Sequence, residues 1–268
     1  MAGRFSAADG ARRRLDERVN YPSLAAKRVF VTGGGSGIGA AIVEAFARQG
    51  SIVAFVDVAD AASSALITRL EAEGLGRHWY RRCDVTDVSL LQRAIADAAR
   101  ELGDFHVLVN NVASDDRHPL QEVTPEYWDQ RMAINQRPAF FAIQAVVPGM
   151  QRLGGGSIVN LGSTGWQTKT AGYPAYATAK SSVSGLTRGL ARELGAQHIR
   201  INVASPGWVM TQRQLAYLDE ASEADLMRSQ CLPDKLWPED IAAMVLFLAS
   251  DQARAITAQE FLVDAGWC

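Results

Sequence analysis

Short apolar runs alternate along the chain with longer stretches in which apolar residues recur every three or four positions. Val29 to Thr32 is the first short run, β-branched and aromatic. It breaks into a glycine-rich turn, Gly33 to Gly39, beyond which Ile38, Ile42, Val43, Phe46 and Ala47 share one helical face. The alternation repeats. It predicts further strands over 52–57, 77–83, 106–110, 156–161, 199–204 and 260–263. Helices are predicted over 61–73, 89–102, from the cap Thr124 to about Met150, and over 175–194 and 238–250. Strands separated by helices need right-handed crossovers, so the pattern implies a doubly wound α/β sheet of Rossmann type, parallel and covered on both faces. No solenoid-period repeat and no Pro/Ser-rich linker divides the chain, so residues 23–268 are expected to form one domain. Residues 1–22, with Arg12, Arg13 and Arg14 among Asp9, Asp16 and Glu17, read as a flexible tail. Ser205 to Trp237 is too long for a simple connection and reads as a functional lid or a disordered stretch.

Strand, glycine turn and helix together are the context of a dinucleotide-binding fingerprint. Without Cβ atoms the turn's N–H groups can approach a pyrophosphate, and a helix opening at Gly37 aims its partial positive charge at the same anion. The bland alternative is a tight turn with Ser36 as a helix cap. Asp57, closing the run 52–56, stands where such folds keep an acid for the ribose hydroxyls, and it would repel a 2′-phosphate. Its own alternative is a cap on the next helix. Ser36, rather than Arg or Lys, precedes Gly37, so NAD is expected over NADP.

Composition narrows the class. With 268 residues, 48% hydrophobic, 21% charged and a net charge of −2, the chain is an ordinary globular one without the electrostatic footprint of a nucleic-acid or anionic-membrane binder. No apolar run reaches the length of a membrane span, and the N-terminus lacks a secretory apolar core. Cys83, Cys231 and Cys268 are scattered without metal or CxxC spacing, which points to free thiols, a reducing cytoplasmic setting and no metal site. His78, His106 and His198 lie in or beside strands without ligand spacing and read as structural.

Tyr176 and Lys180 stand one helical turn apart, and Ser163 ends the strand thirteen residues earlier. Pro174, Ala175, Ala177 and Ala179 leave little bulk around the tyrosine. Taken in order, Thr32-Gly-Gly-Gly-Ser-Gly-Ile-Gly39, Asp84, Asn110-Asn111, Asn135, Ser163, Tyr176-Ala-Thr-Ala-Lys180 and Pro206-Gly207 resemble the short-chain dehydrogenase/reductase family from residue 22 onward. The resemblance implies Tyr176 as acid/base and Ser163 as partner of the substrate oxygen. Lys180 would hold the nicotinamide ribose and lower the tyrosine pKa, and Asn135 would anchor a water linking Lys180 to solvent. Around the nucleotide it puts Gly33, Gly35, Ser36, Gly37, Ile38, Gly39, Asp57, Asp84, Val85 and Asn110, with Tyr176, Lys180, Pro206, Gly207, Val209 and Thr211. It also implies a homotetramer. A free tyrosine titrates near ~10, so working as a base at neutrality needs a drop of about three units, or ~4 kcal/mol. One ammonium at about 4 Å supplies roughly that at an effective dielectric of ~20, aided by the charge of an oxidised nicotinamide. One departure stands out: Val112-Ala113 replace the family's usual Ala-Gly and would narrow the space beside the nucleotide.

Within the family the chain looks most similar to bacterial aldose dehydrogenases, which oxidise sugars such as D-xylose at C1 to a lactone. Tyr21-Pro-Ser-Leu24, Asp115-Asp-Arg-His118, Pro148-Gly-Met150, Gln230-Cys-Leu232 and Asp264-Ala-Gly-Trp267 carry that likeness. Asp115, Asp116, Arg117 and His118 crowd hydrogen-bonding groups that a polyol needs and an acyl chain does not. A solvated loop or a subunit contact would explain them equally. Trp166 and Trp208, with Gln167 and Tyr173, flank the catalytic positions and offer rings for a sugar face, Trp166 foremost, with plain packing as the alternative. Hydride transfer from a sugar CH–OH to NAD is the expected activity. A 3-oxoacyl thioester or other carbonyl reductase would prefer NADPH and a basic surface that the sequence lacks. A catalytically silent nucleotide-binding regulator sits poorly with intact Asn135, Ser163, Tyr176 and Lys180.

Overall fold

The apolar runs pair side by side in the computed structural model, which describes residues 20–215 and 218–268. The strands are β1 Arg28–Thr32, β2 Ile52–Asp57, β3 Trp79–Arg82, β4 Val107–Asn110, β5 Gly156–Leu161, β6 Ile199–Pro206 and β7 Glu260–Val263. They form one parallel sheet in the order β3-β2-β1-β4-β5-β6-β7. Its inner strands are unbroken apolar runs because both faces are covered. Alternate residues feed two cores. Val29, Val31, Val53, Phe55, Val107 and Val109 meet α1 (Gly37–Arg48), α2 (Asp60–Ala72) and α9 (Pro238–Ala249). Phe30, Ala54, Val56, Leu108 and Ile158 meet α3 (Val88–Leu102), α5 (Arg137–Arg152) and α6 (Pro174–Gly195). Strand order reverses between β1 and β4. In open α/β sheets the ligand crevice lies beyond the carboxyl ends at that point, where Thr32 pairs with Asn110.

The helix predicted from Thr124 to about Met150 is two. Thr124 caps as expected, its hydroxyl accepting from Tyr127 N–H at 3.2 Å. α4 (Pro125–Asn135) then ends, Gln136 turns out of helical geometry (φ −128°, ψ −55°), and α5 begins. Pro138 causes the break, having no N–H for the ladder and a ring that crowds the preceding turn. The strand predicted over 77–83 shortens at both ends. The backbone N–H of Val53 donates to the ring Nδ1 of His78 (3.3 Å) in place of a ladder carbonyl. His106 likewise accepts from Arg28 N–H at 3.1 Å. Burial, then the charges of Arg28 and Lys27, push its pKa down to about 4, so it is a neutral structural acceptor.

The stretch expected as a lid carries its own structure. Val209 bridges Leu236, and α7 (Gln212–Leu215) and α8 (Glu220–Ser229) lie between. Tyr21 to Leu24, at the boundary drawn between tail and domain, is docked. Leu24 is buried, its carbonyl accepts from Ser51 Oγ (2.7 Å), and Tyr21 N–H donates to Gln49 Oε1 (2.7 Å). The Arg12 to Arg14 segment lies outside the described residues.

A buried polar chain ties the site's scaffold together: Asn110 Nδ2 donates to Asn160 Oδ1 (2.9 Å), and Asn160 Nδ2 to Thr187 Oγ1 (3.0 Å). It joins β4, β5 and α6. Asn160→Ala orphans two buried polar groups, so unfolding by urea is expected to show a loss of about 2–4 kcal/mol. A loss below ~0.5 kcal/mol would mean that the chain of amides holds nothing.

Candidate active site

The turn after β1 is shaped by close approach. A Cβ on Gly39 would sit 1.8 Å from the carbonyl oxygen of Gly33, and one on Gly35 2.2 Å from Ser63 Oγ. Gly37 has φ +52°, which a side chain would strain. Only bare backbone closes this corner: Gly33 and Gly34 N–H donate to the Val56 carbonyl (2.7 and 3.2 Å), and the first-turn N–H groups of α1 follow with no partner within the helix. Asp57 is fastened here as well, Oδ2 accepting from Gly35 N–H and Oδ1 from Ala59 N–H, both at 2.8 Å. Its carboxylate therefore braces the turn and the start of α2 while lining the cavity. Ser36 precedes α1 without a side-chain cap bond.

A cavity of about 1240 Å³ runs from Asp57, Asp84 and Val85, across the turn, to Ser163, Tyr176 and Lys180. Pro206, Gly207, Val209 and Thr211 wall it. Every residue expected around the nucleotide lines it except Asn110, which is spent in the amide chain. Its neighbour Asn111 lines the cavity instead and pins the turn, Nδ2 donating to the carbonyls of Thr32 (3.1 Å) and Gly33 (2.8 Å). Val112 and Ala113 also line it, and a Val112 methyl sits where a Gly33 Cβ would be only 2.8 Å away.

At the other end, Ser163, two residues beyond β5, accepts from Gly165 N–H at 3.1 Å and hydrogen-bonds the Tyr176 hydroxyl. Lys180, buried one turn further along α6, donates to the Leu161 carbonyl at 2.7 Å. Burial pushes its pKa down to about 8, with Asp115 pulling the other way. Burial also drives the Tyr176 hydroxyl well above its ordinary value, against the Ser163 hydrogen bond. On Tyr176 burial outweighs the other causes, because desolvation that weakens one charge also opposes creating the other.

Asn135 stands off the cavity wall. Its Oδ1 accepts from Ser114 N–H (2.8 Å) and its Nδ2 donates to the carbonyls of Ser114 and Arg131 (3.0 Å each), so its side chain shapes the loop after β4. The two acids proposed for substrate are also engaged. Arg213 Nη2 bridges Asp115 Oδ1 (2.9 Å) and Asp116 Oδ1 (2.7 Å); Gln214 Nε2 donates to Asp115 Oδ2 (2.8 Å), and Arg131 Nη1 to Asp116 Oδ2 (2.6 Å). Asp115 lines the cavity and Asp116 does not. Burial would raise the Asp116 carboxyl, yet hydrogen bonds from Ser114 and Arg131 hold it below the usual range. Trp166, the ring favoured for sugar stacking, is 37% exposed and off the cavity wall. Trp208 lines the cavity, its indole N–H buried without a protein partner. Trp237 and Trp267 line it too, Trp267 from the closing motif of the aldose-dehydrogenase likeness and Trp237 from a segment that no local signal marked. Among the described residues no cluster of His, Cys, Asp and Glu has the makings of a metal site, and no helix is long and apolar enough to cross a membrane.

A family model described as enoyl-(acyl carrier protein) reductase matches residues 33–268. The D-xylose 1-dehydrogenase of Caulobacter vibrioides is 46% identical over 92% of this chain and 98% of its own. A probable galactose dehydrogenase of Rhizobium meliloti is also 46% identical, over 92% of this chain and 96% of its own. Among solved structures, a blue fluorescent protein from a metagenomic library, in complex with NADPH, superposes with a TM-score of 0.85 at 39% identity, covering 92% of this chain and 99% of that one.

Burying Lys180 carries a stability cost with a definite pH signature. Below about pH 8 the lysine is charged folded and unfolded, and the cost is fully present. Between there and its unfolded value near 10.5 the unfolded chain binds the extra proton, so stability rises with pH and the cost fades. Lys180→Met is therefore expected to stabilise the fold at pH 7 by on the order of 3 kcal/mol. Urea denaturation at pH 7 and pH 10 should show that advantage shrinking; an advantage independent of pH would mean that charge burial is not its source.

Proposed function

This chain belongs to the short-chain dehydrogenase/reductase family and is an NAD(P)-dependent oxidoreductase; on that premise we propose that it oxidises an aldose at C1 to the lactone, with NAD as acceptor and Tyr176 as the acid/base group. The observation that carries the reading is the convergence of Ser163, Tyr176 and Lys180 at one end of a cavity whose other end holds Asp57 and Asp84. The residues fit a dinucleotide on their own geometry: the turn is too tight for side chains, the first-turn N–H groups of α1 are the backbone donors available to a pyrophosphate, and an acid at the end of β2 suits ribose hydroxyls. When bound, an oxidised nicotinamide nucleotide supplies the hydride acceptor and a positive charge near the phenol.

The chain's own side chains supply the rest. Ser163 holds the substrate oxygen beside Tyr176, which takes the proton of the C1 hydroxyl as the C–H bond breaks. Lys180 keeps positive charge beneath the forming phenolate, with the Leu161 carbonyl fixing its head. Substrate class is supported by the sugar-named relatives and by Asp115 and Trp208, polar groups at the chemical end of the cavity. A homotetramer in the cytoplasm completes the proposal; exposed Phe140 on α5 and Leu262 on β7 are apolar surface of the kind that association covers.

A carbonyl reductase acting on 3-oxoacyl thioesters is the competing reading, favoured by the description of the matched family model. NADH absorbance on mixing the protein with NAD and a panel of aldoses tests the two together. Strong signal with a pentose or hexose is expected, whereas silence on sugars with turnover of a 3-oxoacyl thioester in reverse would replace the proposal. Tyr176→Phe is expected to lower turnover by about 10²–10⁴ while nucleotide binding persists. Asp57→Ala is expected to shift the kcat/KM ratio toward NADP by at least about tenfold, near 1.4 kcal/mol; an unchanged ratio would remove Asp57 as the selector.

A further inference from the structure

We propose that the loop Asp115 to His118 is a two-ended brace that couples the α7 lid to the position of the Tyr176 ring, with Arg117 and His118 as positioning residues. The proposal rests on Tyr176 being the acid/base group.

One end of the loop grips the start of α6. The backbone N–H of His118 donates to the Gly172 carbonyl at 2.7 Å. Its ring Nε2 accepts from the N–H of Ala175 at 3.3 Å, the residue immediately before Tyr176. That N–H belongs to the first turn of a helix, where backbone donors have no partner within the helix, and Tyr173 offers no side-chain cap. His118 therefore does from outside what a capping residue does from within. Accepting at Nε2 leaves the ring proton to Nδ1, which meets the Asp116 carbonyl and the Tyr127 hydroxyl, each at 2.8 Å. The ring is buried and packs edge-on against Tyr127, so it has no freedom to release its hold. Beside it, the Arg117 guanidinium lies 4.2 Å over the Tyr173 ring, and Tyr173 meets Tyr176 edge-on with centroids 5.3 Å apart.

The other end grips the lid. Arg213 of α7 spans Asp115 and Asp116, and Gln214 takes the second oxygen of Asp115. Arg131, itself buried, anchors Asp116 from α4, and Asn135 holds Ser114 just before. Four consecutive residues are thus divided, two bonded to α7 and two to the segment 172–176, with the middle fixed from below. Such a short, fully tied loop has no slack to let one end move without the other.

The charges give the arrangement a sign. Tyr176 faces Asp115 and Arg117 from this loop, Tyr173 before its helix, Lys180 a turn beyond and the Ser163 hydroxyl beyond β5. Asp115 disfavours the phenolate and Arg117 favours it. Oxidation needs the phenolate, so activity rises with pH through the tyrosine's titration.

The test uses hydrogen exchange on the full chain with Arg213→Ala combined with Gln214→Ala, which removes both α7 side chains from the loop. Exchange over 172–176 is expected to quicken several-fold, and unchanged protection there overturns the brace whatever the activity does. Arg213→Lys, which keeps the charge but does not span both carboxylates, repeats the measurement if the alanine variant melts early. In the pH profile of kcat, Arg117→Met is expected to move the rising limb to higher pH and Asp115→Asn to lower pH; limbs that stay in place remove the loop from the positioning of Tyr176. Tyr176→Phe, assayed alongside, reports on the acid/base assignment separately: retained turnover would end that assignment while leaving the exchange result to judge the brace.

Discussion

A lysine ammonium buried at the carboxyl edge of a parallel sheet is the constraint around which this molecule is arranged. Lys180 is held beneath the edge by one short hydrogen bond to the Leu161 carbonyl. Burial works against its charge, and it works against ionisation of the Tyr176 phenol as well. Such a site persists only where the helix bearing it has no alternative seat. α6 is pinned to the sheet through Asn110, Asn160 and Thr187, and its apolar face enters the same core as Phe30 and Leu108. The stable interior and the strained site are parts of one packing problem.

The two ends of the cavity solve different problems by different means. At the glycine turn the wall is backbone, and side chains are excluded by contacts as close as the 1.8 Å that a Gly39 Cβ would make. At the Tyr176 end the wall is side chains whose protonation has been moved by burial. β1 and β4 diverge at the strand-order reversal between these halves, so one turn and one loop, both anchored on Thr32 and Asn111, reach both.

Much of this was legible in the residues. Buried parallel strands leave continuous apolar runs, and a turn that forbids Cβ atoms leaves glycines, so both appear in the sequence. Tyr176 and Lys180 are close because a helix repeats every 3.6 residues, which spacing alone reports. What stayed hidden depends on partners far apart in sequence. Asn110 and Asn111 are indistinguishable as letters; which one faces the cavity is decided by Asn160 on a neighbouring strand. Asp116 looks like a free acid until Arg131 and Arg213 arrive from α4 and α7. Trp166 and Trp208 each follow a strand end, and only the backbone path after that end decides which ring turns to the cavity. The break at Gln136 is different in kind, since Pro138 announced it and the apolar periodicity outweighed the signal.

The loop after β4 touches α4, α7 and the start of α6 at once. A carboxylate near a phenol disfavours its ionisation, and Asp115 does so to Tyr176. Its position is intelligible once its other bonds are counted: both oxygens are taken by α7, through Arg213 and Gln214. Arg117, two residues on, contributes the opposite sign from above Tyr173. One short loop thus commits its negative charge to α7 and its positive charge to the segment before α6, which is how two opposite charges come to flank the same phenol.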